Sequence, residues 1–270
     1  MKNNDESSKK DFQRAKDLFK DRLDTSLYFD SQTSEKAKKK VLDTIRLGES
    51  NLTFLIGAPG SGKTYLVKIV NQVLKEQIVS IVIDNPFFTE TRLMHTLLKA
   101  INRNDINPSD TQRVQDIFRG IRHTIFIDEA QLLNLKQIEL IRILSDTKVF
   151  NFVLVMHQKE SADILKKPHF KTRTKTIINI GMLKEKEVLR YIHKTLLSFS
   201  STQEFTSYFE EDIVKEIFKH THGNFRTLKA FVHTLLELLD YSYANSLTKY
   251  EKINSCMLTM SAIDLGLIYE

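Results

Sequence analysis

The chain has 270 residues, enough for one large domain or a core with a small appendage. Its 41% hydrophobic and 27% charged content excludes a disordered or fibrous protein. No apolar run approaches the roughly 18 residues of a membrane span, and the first residues lack the apolar stretch of a secretory signal. A single cysteine, Cys256, excludes an intramolecular disulfide and a cysteine-based zinc site. These features predict a cytoplasmic protein with no transmembrane segment of its own. The net charge of +6 permits contact with nucleic acid or anionic lipid without requiring it.

In chain order, residues 1–24 read as a charged helix of mixed sign with a partial apolar stripe of Phe12, Leu18, Phe19 and Leu23. A second helix is expected over Ser34–Leu47, with Ser34 as its cap and Gly48 as its stop; it carries the run Lys38-Lys39-Lys40. LTFLIG (52–57) predicts a buried strand, residues 62–75 a helix, and IVSIVID (78–84) a strand buried on both faces. Helices follow at Glu90–Ile101 and Asp110–Arg119, then a strand at 123–128 and a helix at Leu135–Ser145. Two further strands are expected at 150–156 and 176–180. Strands alternating with helices imply a parallel sheet covered on both faces. After Gly181 the strands stop, and helical periodicity covers Lys184–Leu197, Glu210–Lys219, Phe225–Leu239 and Lys249–Leu265.

Glycine is scarce, yet three of the 8 fall within Gly57-Ala58-Pro59-Gly60-Ser61-Gly62-Lys63-Thr64. This octet matches G-x-x-x-x-G-K-[ST], and it follows a strand and opens a helix as that motif requires. Backbone N–H groups there can wrap a phosphate chain at a helix N-terminus. Lys63 can reach the β- and γ-phosphates, and the Thr64 hydroxyl can ligate Mg²⁺. Thr124–Ile127 is an apolar strand ending in Asp128 and Glu129. Asp128 is placed to hold Mg²⁺ through water and Glu129 to polarise the attacking water as general base. Both ATP and GTP fit such a site; the guanine-selecting N/T-K-x-D pattern is absent, which points to ATP. The expected fold is α/β, a P-loop NTPase core with a five-stranded parallel sheet followed by a small all-α lid. The expected division is a charged N-terminal helix over 1–24, a nucleotide-binding core over 25–182 and the lid over 183–270.

The acidic pair continues as Asp128-Glu129-Ala130-Gln131-Leu132-Leu133. At this point the chain resembles the AAA+ ATPases, and within them the branch of ExeA-type general secretion ATPases and TniB-type transposition ATPases. Leu27-Tyr28-Phe29 resembles the segment that approaches the adenine in that branch. Val153–Gln158 resembles its fourth strand and sensor 1 turn, Gly223-Asn224-Phe225-Arg226 its G-N-P-R sensor 2 motif, and Ala262–Leu267 its last-helix ending. The resemblance implies that Gln158 reads the γ-phosphate as sensor 1, with His157 standing where the family has glycine. It implies that Arg226 reaches the γ-phosphate from the lid as sensor 2, with Phe225 in place of proline. Arg173, just before the fifth strand, stands where the family places an arginine finger that enters a neighbouring subunit's site, which implies a homo-oligomer. Arg173 with Lys166, Lys167, Lys171 and Lys175 also reads as a basic run facing DNA phosphate or solvent.

Seven histidines, His95, His123, His169, His193, His220, His222 and His233, show no metal-ligand spacing and are expected at the surface or at boundaries. The function expected from the resemblance is an ATPase that remodels a protein partner, membrane-bound or not, in secretion or pilus-type assembly. The alternatives are a duplex-DNA-binding transposition regulator and a nucleotide-gated adaptor with little turnover.

Overall fold

The computed structural model describes residues 11–48, 51–119, 123–166 and 175–268. Contacts divide the chain into two units, Gln32–Gly181 and, separately, the residues up to Ser31 together with those from Met182 onward.

Five parallel strands build the first unit: β1 (Leu52–Gly57), β2 (Val79–Ile83), β3 (His123–Ile127), β4 (Phe150–His157) and β5 (Thr176–Ile180). Their order is β2-β3-β4-β1-β5. Pairing puts Gly57 opposite His157 on β4 and Ile180 on β5, and Ile127 opposite Leu154. The carboxyl ends of β1, β3 and β4 therefore meet at one edge of the sheet, where open parallel sheets place their ligands.

Strand alternation sorts side chains onto two faces. Phe54, Ile56, Phe152 and Leu154 pack with α4 (Glu90–Ala100), α5 (Thr111–Phe118) and α6 (Leu135–Asp146). Leu55, Val153 and Val155 pack on the other side with α2 (Gln32–Leu47) and α3 (Lys63–Leu74). In α2 the buried set is Ala37, Val41 and Ile45, one turn apart, which leaves Lys36, Lys39 and Lys40 exposed. A further helix, α7 (Gln158–Leu165), follows β4 directly.

Two expectations are corrected here. β2 is not buried on both faces: it is an edge strand with β3 alone as neighbour, and only Ser80 of its residues is buried. His123 is not a surface residue: its ring is fully buried edge-on against Phe118 in the core beneath α5.

The second unit is helical. It holds α1 (11–18), α8 (Glu185–Leu196), α9 (Glu211–Thr221), α10 (Phe225–Ala244) and α11 (Ser255–Asp264), with a 3-10 helix at Ser200–Tyr208. Its core combines Tyr191, Ile192, Ile217, Phe231, Leu235 and Leu239 with Phe12, Ala15 and Phe19 of the N-terminal segment. The last three lie three and four residues apart, so α1 has a full buried stripe once Ala15 is counted. Phe29 packs against the rings of Tyr191 and Phe225 at 5.4 and 6.5 Å. Residues 25–31 thus sit with the helical unit rather than with the sheet to which the sequence assigned them. No helix among the described residues is long and apolar enough to cross a membrane.

Candidate functional site

The loop between β1 and α3 is shaped by its glycines. Gly60 and Gly62 have φ of 75° and 88°, conformations that disfavour any side chain with a Cβ. Gly57 is constrained by space: a Cβ there would lie 2.5 Å from Ile180 Cγ2 and 2.8 Å from the Ile180 carbonyl oxygen. Lys63 opens α3 at 6% exposure, and its ammonium donates to the carbonyls of Gly57 and Ala58 at 3.0 Å each. A cation this buried is held by the loop's own oxygens at the mouth of a helix whose first N–H groups have no intrahelical partner. The Ser61 hydroxyl is buried and makes no hydrogen bond within the described residues.

Asp128 follows β3 directly. Its N–H donates to the Ile83 carbonyl at 3.0 Å, and its Oδ2 accepts from the Thr64 hydroxyl at 2.6 Å. Glu129 turns away, with φ 51° and ψ 36°, while its N–H donates to Asp128 Oδ1 at 2.9 Å. The turn sends the two carboxylates in different directions. Asp128 faces the phosphate loop, whereas Glu129 accepts from the Gln131 amide and lies 3.5 Å from His157 Nε2.

Thr64 and Asp128 offer two hard oxygen ligands side by side. That set fits Mg²⁺, which keeps several waters and takes further oxygens from substrate phosphates rather than a full protein cage. No cluster of three or more His, Cys, Asp or Glu side chains suited to a metal occurs among the described residues.

The structure therefore brings Gly57–Thr64 and Asp128 together, with Glu129 next in the chain and its carboxylate beside His157 at the end of β4. Gln158 opens α7 as an exposed residue, whereas His157 ends β4 beside Gly57. Arg226 belongs to the helical unit, at the start of α10, where Asn224 caps the helix by accepting from the N–H groups of Arg226 and Thr227. Its guanidinium pairs with Asp21 Oδ2 at 3.2 Å. Arg173 lies outside the described residues. The sequence reading gave no role to Gln131 or Asp21; the spacing of Gln131, two residues after Glu129, was the available signal for the first.

Residues 46–165 match the family model described as AAA domain. No curated protein matches the chain. Solved structures that share its fold include the following three. The chain superposes on Drosophila ORC bound to DNA with a TM-score of 0.66 and 13% identity, covering 94% of this chain and 66% of that one. It superposes on a point mutant of Thermotoga maritima RuvB at 0.55 and 19% identity, covering 91% and 73%. It superposes on domain III of the Thermotoga maritima replication initiation protein DnaA at 0.54 and 13% identity, covering 90% and 96%. With its five-stranded parallel sheet, its phosphate loop and its helical C-terminal region, the chain has the fold of the AAA+ P-loop proteins.

Proposed function

We propose that the chain binds ATP with Mg²⁺ and hydrolyses it. The observation that supports this reading is the Thr64–Asp128 contact at 2.6 Å beside the glycine loop, a pair of hard oxygens next to a buried lysine of the kind a phosphate-bound Mg²⁺ would need. Residues 57–64 hold the phosphates, with backbone N–H groups on the oxygens and the Lys63 ammonium exchanging its loop carbonyls for the β- and γ-phosphates. Mg²⁺ held by Thr64 and Asp128 supplies charge neutralisation on those phosphate oxygens. Glu129 takes a proton from the water that attacks the γ-phosphorus as the bond to ADP breaks. Arg226 and Arg173 are the arginines that the resemblance assigns to the γ-phosphate, Arg173 from a neighbouring copy.

Steady-state phosphate release tests this. The wild-type rate per chain is expected to rise with protein concentration, because Arg173 comes from a neighbour. Lys63→Ala should lose nucleotide binding, and Glu129→Gln should retain binding and stop turnover. Equal turnover in Glu129→Gln would remove the base role, and unchanged ATP affinity in Lys63→Ala would remove the phosphate-loop role.

For the partner, one observation favours duplex DNA over the secretion or pilus machinery expected from the resemblance. The basic excess is confined to the core. Residues 32–181 carry 23 Lys and Arg against 15 Asp and Glu, while the rest of the chain carries 17 against 19. Charge of one sign gathered on one unit is what phosphate contact requires. The likeness to ORC bound to DNA supports the same reading. The test is duplex-DNA binding with a non-hydrolysable ATP analogue across a salt series. Nucleotide-dependent binding that weakens steeply with salt supports it. No binding at low salt moves the weight to a protein partner, as in secretion or pilus assembly.

A further inference from the structure

Glu129 is held by more than its own backbone. Its Oε2 accepts from Gln131 Nε2 and lies 3.5 Å from His157 Nε2. The two partners come from different elements: Gln131 from the short turn after β3, and His157 from the last position of β4, paired with Gly57 at the start of the phosphate loop. Of the two halves of the Gln131 amide, only the NH₂ can face a carboxylate. With the NH₂ committed, its Oε1 is buried and accepts no hydrogen bond within the described residues.

The energetics separate positioning from stabilisation. A hydrogen bond to a charged group stabilises by about as much as a buried acceptor without a partner costs. The two roughly cancel, so net stability does not explain the contact. What the pair removes is freedom. A glutamate side chain loses rotamer entropy when it is fixed, and here that loss is taken before any substrate arrives. At 41% side-chain exposure Glu129 would otherwise be free to sample solvent.

We propose that Gln131 and His157 are positioning residues for Glu129, anchoring Oε2 so that Oε1 is the oxygen that takes the proton of the attacking water. The inference rests on the reading of Glu129 as the base. It assigns His157 to the base rather than to the γ-phosphate, and it gives Gln131 a function that neither its exposure nor its helix-forming tendency would suggest.

The experiment is ATP turnover by the full chain with saturating Mg²⁺, for wild type, Gln131→Ala, His157→Ala and His157→Gln, each alone and in a Glu129→Gln background. A non-hydrolysable analogue titration and a melting curve accompany each variant. Both alanine variants are expected to lower kcat on the order of tenfold to a hundredfold, the scale of a misplaced reacting group. KM and analogue affinity should stay within about twofold, which marks loss of an interaction used only in the transition state. His157→Gln keeps an N–H donor of similar reach and should recover most of the rate. Neither alanine change should lower turnover further once Glu129 is glutamine. Wild-type kcat in Gln131→Ala, a rise in KM that accounts for the loss, or the same fractional loss in whatever single-turnover residual rate Glu129→Gln keeps would each overturn the proposal. If Glu129→Gln itself turns over normally, the base reading fails and the proposal fails with it. If Glu129→Gln is inactive and Gln131→Ala is normal, only the proposal fails.

Discussion

The Thr64 hydroxyl donates to Oδ2 of Asp128 at 2.6 Å, so the first turn of α3 and the end of β3 meet through two oxygen atoms. Neither group needs the other for the fold, since Thr64 is already in a helix and Asp128 is anchored through its N–H to Ile83. The prediction concerns metal dependence. In the wild-type chain, adding Mg²⁺ should tighten ATP binding by at least about tenfold. In Thr64→Val and Asp128→Asn that gain should shrink to about twofold or less, while metal-free affinity is kept. Nucleotide titrations with Mg²⁺ and with a chelator measure it, and an undiminished Mg²⁺ effect in both variants would exclude these residues as ligands.

Arg226 and Asp21 pair at 3.2 Å on the surface of the helical unit, both side chains well exposed. Exposed pairs contribute about 0–1 kcal/mol, so Asp21→Asn should leave the melting temperature almost unchanged. Under the role proposed for Arg226, the same carboxylate would compete with a γ-phosphate for the guanidinium. Asp21→Asn is therefore predicted to tighten ATP binding by up to about fivefold, the equivalent of that pair energy. The gain should vanish in Arg226→Ala. A gain that survives Arg226→Ala would show that Asp21 acts elsewhere.

Gly223 precedes the Asn224 cap with φ 71°, and a Cβ on it would lie 2.0 Å from the Leu183 carbonyl oxygen. The backbones are tied there, Leu183 N–H donating to the Gly223 carbonyl at 3.0 Å. Backbone cannot step aside as a flexible side chain can. Gly223→Ala should cost at least the 1–3 kcal/mol, roughly, of a strained left-handed residue, and more from the clash. Denaturant unfolding of the full chain should show a clearly earlier transition for the helical unit. Wild-type stability would mean the Leu183 contact yields more easily than its geometry implies.

Lys229 lies half-buried in α10, and burial holds its ammonium below the ordinary lysine range; Arg22 pushes the same way, while Asp21 and Asp24 oppose. A depressed folded pKa means that the unfolded chain binds more protons between that value and about 10.5, so stability rises with pH across that window. The cost of the buried charge is fully present below the window. Lys229→Met should therefore raise the melting temperature relative to wild type at neutral pH, with the difference narrowing towards pH 10. Melting curves at several pH values check this; a difference independent of pH would assign the effect to packing alone.

The phosphate loop was legible because its chemistry is local. Glycines at 57, 60 and 62 followed by Lys and Thr leave few alternatives once a buried strand precedes them. The strands were legible because Val, Ile and Phe runs of five or six residues cannot hide on a helix surface. Long-range facts were not. Nothing in IVSIVID says that it will lie at the edge of the sheet, because strand order is decided by the other four strands. Glu129 could be named as a base from its place beside Asp128, but its contact with His157 depends on β3 and β4 being neighbours. Ala15 was passed over in the N-terminal helix because a small residue adds little to a hydrophobic count, yet it completes the stripe that docks α1. His123 looked polar by residue type, and its burial follows from the ring of Phe118 beside it.

The helical unit takes its core from both ends of the sequence, with the whole α/β unit between them. During synthesis the order matters. All five strands have left the ribosome before α10, whose Asp240 pairs with Lys16 of α1, has been made. Phe12, Ala15 and Phe19 therefore spend that interval as an apolar face with no finished surface to cover it, and the sheet is free to fold first. The helical unit is thus the last to become native, although part of its core precedes the sheet in the sequence.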